Sequence, residues 1–130
     1  MIRGIGVDLT NIDDLRELMK VLSPGTLRRM FTEEEWETSL SRSDQTAYLA
    51  GRFAVKEAVF KTMAPLLTEY ELDLRRVETL DRLDGSPYIR INEAVAGAMV
   101  AACITHLHVS LTYGNNQVVA FVVAEQQDEK

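Results

Sequence analysis

Apolar positions alternate between strand-like and helical spacing along the chain, and this pattern predicts the order of the elements. Ile2 to Leu9 reads as a short buried strand, with glycines where a side chain would crowd a neighbour. Between about Asn11 and Leu22, apolar residues recur every three or four positions, which predicts a helix. Ser23-Pro24-Gly25 is expected to stop that helix.

A second and a third helix are predicted in the middle of the chain. Thr32 and Glu35 have the spacing of a capping box, which predicts a helix beginning there. The polar stretch from 41 to 46 is expected to be a loop. A long helix then runs from about Ala47 to Met63, and Pro65 is expected to end it.

The second half of the chain reads as two hairpins separated by a helix. Asp84-Gly85 and Gly114-Asn115-Asn116 are turn sequences between apolar runs. The predicted elements are strands over 76–80 and 87–91, a helix from 93 to about 104, and strands over 106–113 and 118–124. This order predicts an α+β fold with helices packed on an antiparallel sheet. We expect a single domain over 1–124 and a charged tail over 125–130.

The 47–63 helix sets two charges inside its apolar sector. At about 100° of rotation per residue, Glu57 projects between a strip of large apolar residues and a strip of alanines. Lys61 follows one turn later on the same side. A structural helix is expected to place charges on its far face. Either the two residues merely form a pair, or a metal and an anionic ligand complete a site.

Composition and charge narrow the function classes. A single cysteine, Cys103, excludes an internal disulfide, and no apolar run approaches the ~20 residues that span a bilayer. The N-terminal stretch Met1 to Val7 is too short for a signal peptide and leads directly into polar residues, so we expect a cytoplasmic protein without membrane contact. The net charge of −6 argues against nucleic acid as the main ligand. An anionic substrate would need a local cluster, and Arg52, Lys56 and Lys61 are its candidate members.

Four segments of the chain, in order, resemble the holo-acyl-carrier-protein synthase family, the short trimeric branch of the 4′-phosphopantetheinyl transferases. They are Gly4-Ile-Gly-Val-Asp8, Leu49-Ala-Gly-Arg-Phe-Ala-Val-Lys-Glu-Ala58 with Lys61, Asp84-Gly-Ser-Pro87 and His108-Val-Ser-Leu-Thr112. The resemblance implies the family's fold and a homotrimer with its site between subunits. It also implies a reaction in which a serine of an apo acyl carrier protein attacks the β-phosphorus of coenzyme A. The carrier gains the phosphopantetheine arm and 3′,5′-ADP leaves.

The resemblance also assigns roles to residues. Asp8 and Glu57 would hold Mg²⁺ against the pyrophosphate, and either Glu57 or a metal-bound water would take the serine proton. Lys61 would neutralise phosphate oxygens. Arg52 and Lys56 would hold the ribose phosphate or the carrier. The remaining coenzyme A contacts are expected from Gly85, Ser86 and Pro87 near the adenine, and from the hydroxyls of Ser110 and Thr112.

Three departures from the family pattern favour a specialised carrier over the general fatty-acid carrier. Tyr113 stands where the family usually has a histidine, and Thr62 to Leu67 replaces a glycine-rich turn. The first helix carries Asp13 and Asp14 where a basic residue normally grips an acidic carrier. The alternative function is a non-catalytic trimer that binds coenzyme A or a carrier without transferring anything.

Overall fold

Within residues 1–128, five α-helices and five strands form the fold, and the longest helix lies at its centre. The computed structural model describes residues 1–128. In chain order the elements are β1 Ile2–Asn11, α1 Ile12–Val21, α2 Pro24–Arg28, α3 Glu33–Leu40, α4 Gln45–Met63, β2 Thr79–Asp81, β3 Pro87–Ile89, α5 Glu93–Ala101, β4 His106–Gly114 and β5 Gln117–Glu125. The predicted α+β class with an antiparallel sheet is confirmed. Within residues 1–128, no helix combines the length and the apolar character that crossing a bilayer needs.

The inner face of the main sheet packs on α4. The strand order is β1-β5-β4, all antiparallel. On β5, Val118, Ala120 and Val122 are fully buried against the helix. A Cβ at Gly6 on β1 would collide with the Ala58 carbonyl oxygen and the Thr62 hydroxyl. The glycine therefore lets β1 lie directly on α4. This agrees with the prediction that the glycines of this strand lie where a side chain would crowd a neighbour.

The outer face of the same sheet is apolar and open. Val7 lies opposite Phe121 in the register, and these side chains are 53% and 44% exposed. Ile5 and Leu9 flank them with about 60% of their surface exposed. A continuous exposed apolar face of this kind marks an interaction surface.

Side-chain caps explain where the helices begin. Asn11, Asp44 and Asn92 each accept a hydrogen bond from the backbone three residues on. The predicted capping box of Thr32 and Glu35 is present at the start of α3. Each cap satisfies an N–H that the helix itself leaves free, which stabilises that end by about 1 kcal/mol.

Two segments differ from the sequence prediction near residues 23 and 104. Ser23 does not simply stop α1, because its hydroxyl caps the additional short helix α2 and Pro24 occupies the first turn. The helix α5 ends at Ala101, earlier than expected. Cys103 there adopts φ 58°, and the Ile104 N–H donates to Met99. This left-handed C-terminal turn normally carries glycine, so the sequence held no signal for it.

The β2–β3 hairpin forms a second, two-stranded sheet. Its first strand begins at Thr79, because a 3₁₀ turn occupies Leu74–Arg76, where the predicted strand began. Gly85 has φ 88° in the connecting turn, a conformation that favours glycine. At the chain end, β5 includes Glu125, one residue beyond the predicted boundary. Residues 129 and 130 of the predicted tail lie outside the described residues.

Candidate active site

Asp8 and Glu57 lie in the same cleft. Asp8 comes from the second half of β1 and Glu57 from the fourth turn of α4, and both line an open cavity of about 460 Å³. Met30 and Phe53 supply apolar walls beside them. Within residues 1–128, no hydrogen bond or ion pair engages the Glu57 carboxylate. The carboxylate is therefore free to bind a cation or to accept a proton from a ligand.

Asp8 is held in place by two neighbours. The Thr10 hydroxyl donates to Oδ2 at 2.8 Å, and the Lys61 ammonium lies 3.3 Å from Oδ1. Lys61 also donates to the Val7 carbonyl at 3.1 Å. Asp8 is only 13% exposed, whereas the Lys61 side chain is 53% exposed. Lys61 therefore bridges β1 and α4 at the rim of the cleft and keeps part of its ammonium in solvent.

The oxygen donors of the cleft fit a small hard cation. Mg²⁺ takes one or two protein carboxylates and completes its shell with water and substrate phosphate oxygens. Asp8 and Glu57 supply that number. Residues 1–128 hold no group of three or more histidine, cysteine or acidic side chains that would enclose a metal by themselves. The donor set therefore suits a metal shared with a substrate rather than a closed structural site.

Lys56 departs from its predicted role in cofactor binding. Its ammonium is 3% exposed and lies 2.8 Å from Oε1 of Glu35, which is fully buried. The same ammonium donates to the carbonyls of Val77 and Arg75, so all three of its donors are engaged. Burial lowers the pKa of Lys56, and the Glu35 carboxylate acts in the opposite direction. Lys56 thus joins α4 to the 75–77 segment and has no donor left for a ligand.

Arg52 is also buried, but only part of its guanidinium has partners. Nη2 donates to both oxygens of Asp81 at 2.8 and 3.0 Å, and the guanidinium stacks on the Tyr48 ring at 4.1 Å. Nε and Nη1 are buried and have no hydrogen-bond partner within residues 1–128. Unsatisfied donors on a buried cation are costly, so these two N–H groups are available to an additional acceptor.

The predicted adenine turn lies next to Arg52. Asp81, the partner of Arg52, is paired in the register with Pro87 across the β2–β3 hairpin. The Asp84 carboxylate accepts from both the hydroxyl and the N–H of Ser86, and these bonds lower the pKa of Asp84. Arg52 and the 85–87 turn therefore belong to one region of the surface. That region is separate from the Asp8 cleft, since Arg52 and Glu57 are about 140° apart around α4.

Ser110 and Thr112 lie on the outer face of the sheet. They are level with Phe121 and Val119 of β5, whereas Asp8 is level with Ala120 on the inner face. Both hydroxyl residues are therefore on the side of the sheet opposite to the carboxylate cleft. Within one chain they do not reach the Asp8 and Glu57 pair.

Tyr113 lies at the end of β4 with its hydroxyl against α4. The residue is half exposed, but its hydroxyl contacts the place where Gly51 lacks a side chain. Burial of the hydroxyl raises the pKa of Tyr113, and the charge of Arg52 opposes that shift. The phenol is therefore neutral near pH 7 and unsuited to act as a base there.

Sequence reasoning missed the acidic partners of the buried cations. Glu35 was identified as a capping residue, yet its second oxygen also accepts from the Thr79 N–H at 3.1 Å. Glu78 is buried too and accepts from Thr32 and Arg90. One sequence signal could have found these acids. Two basic residues, Arg52 and Lys56, lie on a helix that is mostly apolar, and buried cations require acidic partners elsewhere in the fold.

Comparisons with known proteins agree with this fold. Residues 4–122 match the family model described as the 4′-phosphopantetheinyl transferase superfamily. A holo-[acyl-carrier-protein] synthase from Micrococcus luteus is 35% identical over 129 residues, covering 98% of this chain and 94% of the relative. The corresponding protein from Thermodesulfovibrio yellowstonii is 32% identical, covering 95% and 98%. The crystal structure of the Neisseria meningitidis holo-[acyl-carrier-protein] synthase superposes with a TM-score of 0.86 at 28% identity, covering 97% and 100%.

Proposed function

The chain belongs to the 4′-phosphopantetheinyl transferase superfamily, and we propose that it is a holo-acyl-carrier-protein synthase. It would transfer the 4′-phosphopantetheine arm of coenzyme A to a serine of an apo acyl carrier protein and release 3′,5′-ADP. The observation that carries the proposal is the shared cleft of Asp8 and Glu57 with Lys61 at its rim. Phosphoryl transfer needs such a site, where charge is neutralised and a nucleophile is positioned.

In the proposed reaction, the serine oxygen forms a bond to the β-phosphorus of coenzyme A. The bond from that phosphorus to the bridging oxygen breaks, and the bridging oxygen leaves with 3′,5′-ADP. Glu57 has no hydrogen-bond or ion-pair partner among residues 1–128 and would accept the serine proton. Lys61 would neutralise the oxygens of the phosphate that is transferred. When bound to Asp8 and Glu57, Mg²⁺ would supply positive charge beside the pyrophosphate.

The remaining coenzyme A contacts are proposed from three places. The unpartnered Nε and Nη1 of Arg52 would donate to a ribose phosphate oxygen, beside the turn of Gly85, Ser86 and Pro87. Ser110 and Thr112 face away from the cleft of their own chain. They would reach the cofactor only from a neighbouring subunit.

We propose that the open sheet face forms a homotrimer, with the reaction in the cytoplasm. Ile5, Val7, Leu9 and Phe121 form one exposed apolar surface, which favours self-association. Such an interface would also bring the Ser110 side of one sheet toward another subunit. Light scattering after gel filtration should give three times the monomer mass. A stable monomer at micromolar concentration would contradict the shared site.

Transfer is tested by mass spectrometry. The protein is incubated with coenzyme A, Mg²⁺ and a panel of apo carriers that includes fatty-acid and specialised carriers. At least one carrier should gain the mass of the arm, with equimolar 3′,5′-ADP. If the folded protein binds coenzyme A but modifies no carrier and releases no 3′,5′-ADP, the non-catalytic alternative is favoured.

A further inference from the structure

The two oxygens of the Asp8 carboxylate have different partners. Oδ2 accepts a hydrogen bond of 2.8 Å from the Thr10 hydroxyl, and Thr10 is partly buried. Oδ1 lies 3.3 Å from the ammonium of Lys61, whose side chain is 53% exposed. An exposed ion pair on a long side chain is weak, so Lys61 can give way to another cation. Oδ1 is therefore the oxygen of Asp8 that an incoming cation can take.

The position of Thr10 is fixed by the strand that carries Asp8. Residues two apart on a strand point to the same face, so both side chains lie on the inner face of the sheet. Ala120 lies opposite Asp8 and Val118 opposite Thr10 on β5, and both of these residues are fully buried. Thr10 also lines the same cavity as Asp8 and Glu57. The strand itself therefore holds the hydroxyl next to the carboxylate.

Glu57 lacks comparable support. No hydrogen bond or ion pair orients its carboxylate within residues 1–128. Rotation about the last side-chain bond of a carboxylate is soft, so a bond that fixes one oxygen also determines where the other points. Of the two carboxylates in the cleft, Asp8 is thus oriented before a cation arrives, whereas Glu57 adjusts to it. Hydrogen bonds to a ligating carboxylate commonly change metal affinity by about 10- to 100-fold.

We propose that Thr10 is a positioning residue for the cation, because its hydroxyl holds Oδ2 of Asp8 and leaves Oδ1 facing the cleft. This inference rests on the proposed function, in which a cation at Asp8 and Glu57 serves the transfer of the arm. Thr10 acts only through Asp8. Its loss should therefore weaken cation binding without removing any group that takes part in the chemical step.

The test measures Mn²⁺ binding with coenzyme A present and no carrier, so that no turnover is needed. Thr10→Val keeps the branched shape of the side chain but removes the donor, and it should raise the dissociation constant of Mn²⁺ by about tenfold. Thr10→Ser restores the hydroxyl and should stay within about twofold of the wild-type value.

Thr79→Val is the matched control. The Thr79 hydroxyl lies on β2 and is buried without a hydrogen-bond partner among residues 1–128. The same exchange of hydroxyl for methyl at this position should leave the Mn²⁺ affinity unchanged. If Thr10→Val does not fold, as judged by circular dichroism, Thr10→Ala takes its place in the comparison.

Steady-state kinetics separate positioning from a general structural role. In Thr10→Val, the Mg²⁺ concentration that gives half of the maximal rate should rise by about tenfold. The kcat at saturating Mg²⁺ should stay within about threefold of the wild-type value. A fall in kcat that no Mg²⁺ concentration corrects would overturn the proposal, by assigning Thr10 to the packing of β1 instead.

The binding measurement also separates this inference from the proposed function. The expected loss of Mn²⁺ affinity in Thr10→Val, with Thr10→Ser near wild type, supports the positioning role even if no carrier is modified. Unchanged affinity in Thr10→Val, or an equal loss in Thr10→Ser or Thr79→Val, refutes it even if transfer is efficient. If the wild-type protein transfers the arm but binds no Mn²⁺, the inference fails and the transferase function stands.

Discussion

Two adjacent residues of α4 use their charges in opposite ways. Lys56 is buried, and its three donors are all taken by Glu35 and two carbonyls. One residue later, Glu57 faces the open cleft with no partner within residues 1–128. The comparison teaches that position within the apolar sector of a helix does not identify a catalytic charge. What distinguishes the two residues is whether the fold already satisfies them.

The largest expected effect comes from Glu57→Gln. The amide keeps the shape of the side chain but neither accepts the serine proton nor carries negative charge. We expect the transfer rate to fall by about 10²- to 10⁴-fold. The free energy of unfolding, measured in urea, should change by no more than about 0.5 kcal/mol, because the carboxylate has no partner within residues 1–128 to lose. Full activity in this variant would remove Glu57 from the mechanism.

Lys56→Met should show the reverse behaviour. It leaves the Glu35 carboxylate buried without its cation, which is expected to cost about 3–5 kcal/mol of unfolding free energy. The matched change Lys61→Met removes an ammonium that is half in solvent, and it should cost less than about 1 kcal/mol of unfolding free energy while transfer is lost. Denaturant titration of both variants checks the contrast. Similar stability losses in the two would show that the distinction between them is wrong.

Gly6→Ala tests the close contact that brings Asp8 to the helix. The added methyl group would overlap the Ala58 carbonyl and the Thr62 hydroxyl, so β1 must move away from α4. We expect a loss of about 1–3 kcal/mol, with a fall in transfer because Asp8 moves as well. Gly114→Ala is the control, since nothing lies within 4 Å of the added atom. Equal free energies of unfolding for the two variants would contradict the close packing of β1 on α4.

Tyr113→Phe should have the smallest effect. Because burial of its hydroxyl raises the pKa of Tyr113, the folded state holds that proton at pH values where the unfolded chain has lost it. Stability should therefore fall as the pH rises above about 10, and this part of the fall should be absent in the variant. Transfer at pH 7 should change less than about threefold. A phenol that titrates normally in absorbance measurements would refute the buried hydroxyl.

Local sequence signals predicted most of the fold. The cap at Thr32, the turn glycine Gly85 and the close approach at Gly6 each depend on one residue and its neighbours. The α+β arrangement followed from the order of apolar patterns. The left-handed Cys103 was not predictable in this way, because a residue other than glycine takes that conformation only when its surroundings impose it.

The site was predictable only in part, since partners distant in sequence decide the role of each charge. The Asp8 and Glu57 cleft follows from where β1 meets α4; the helical pattern had already singled out Glu57, whereas only the resemblance indicated Asp8. Nothing near Lys56 in the sequence showed that Glu35 would bury its ammonium.

Binding of Mn²⁺, followed by electron paramagnetic resonance, tests the central claim most directly. Mn²⁺ replaces Mg²⁺ in oxygen-rich sites and reports binding without any need for turnover. With coenzyme A present, the wild-type protein should bind one ion per chain, and both Asp8→Asn and Glu57→Gln should weaken that binding by at least about tenfold. Unchanged Mn²⁺ affinity in both variants would contradict a cation held jointly by these two carboxylates.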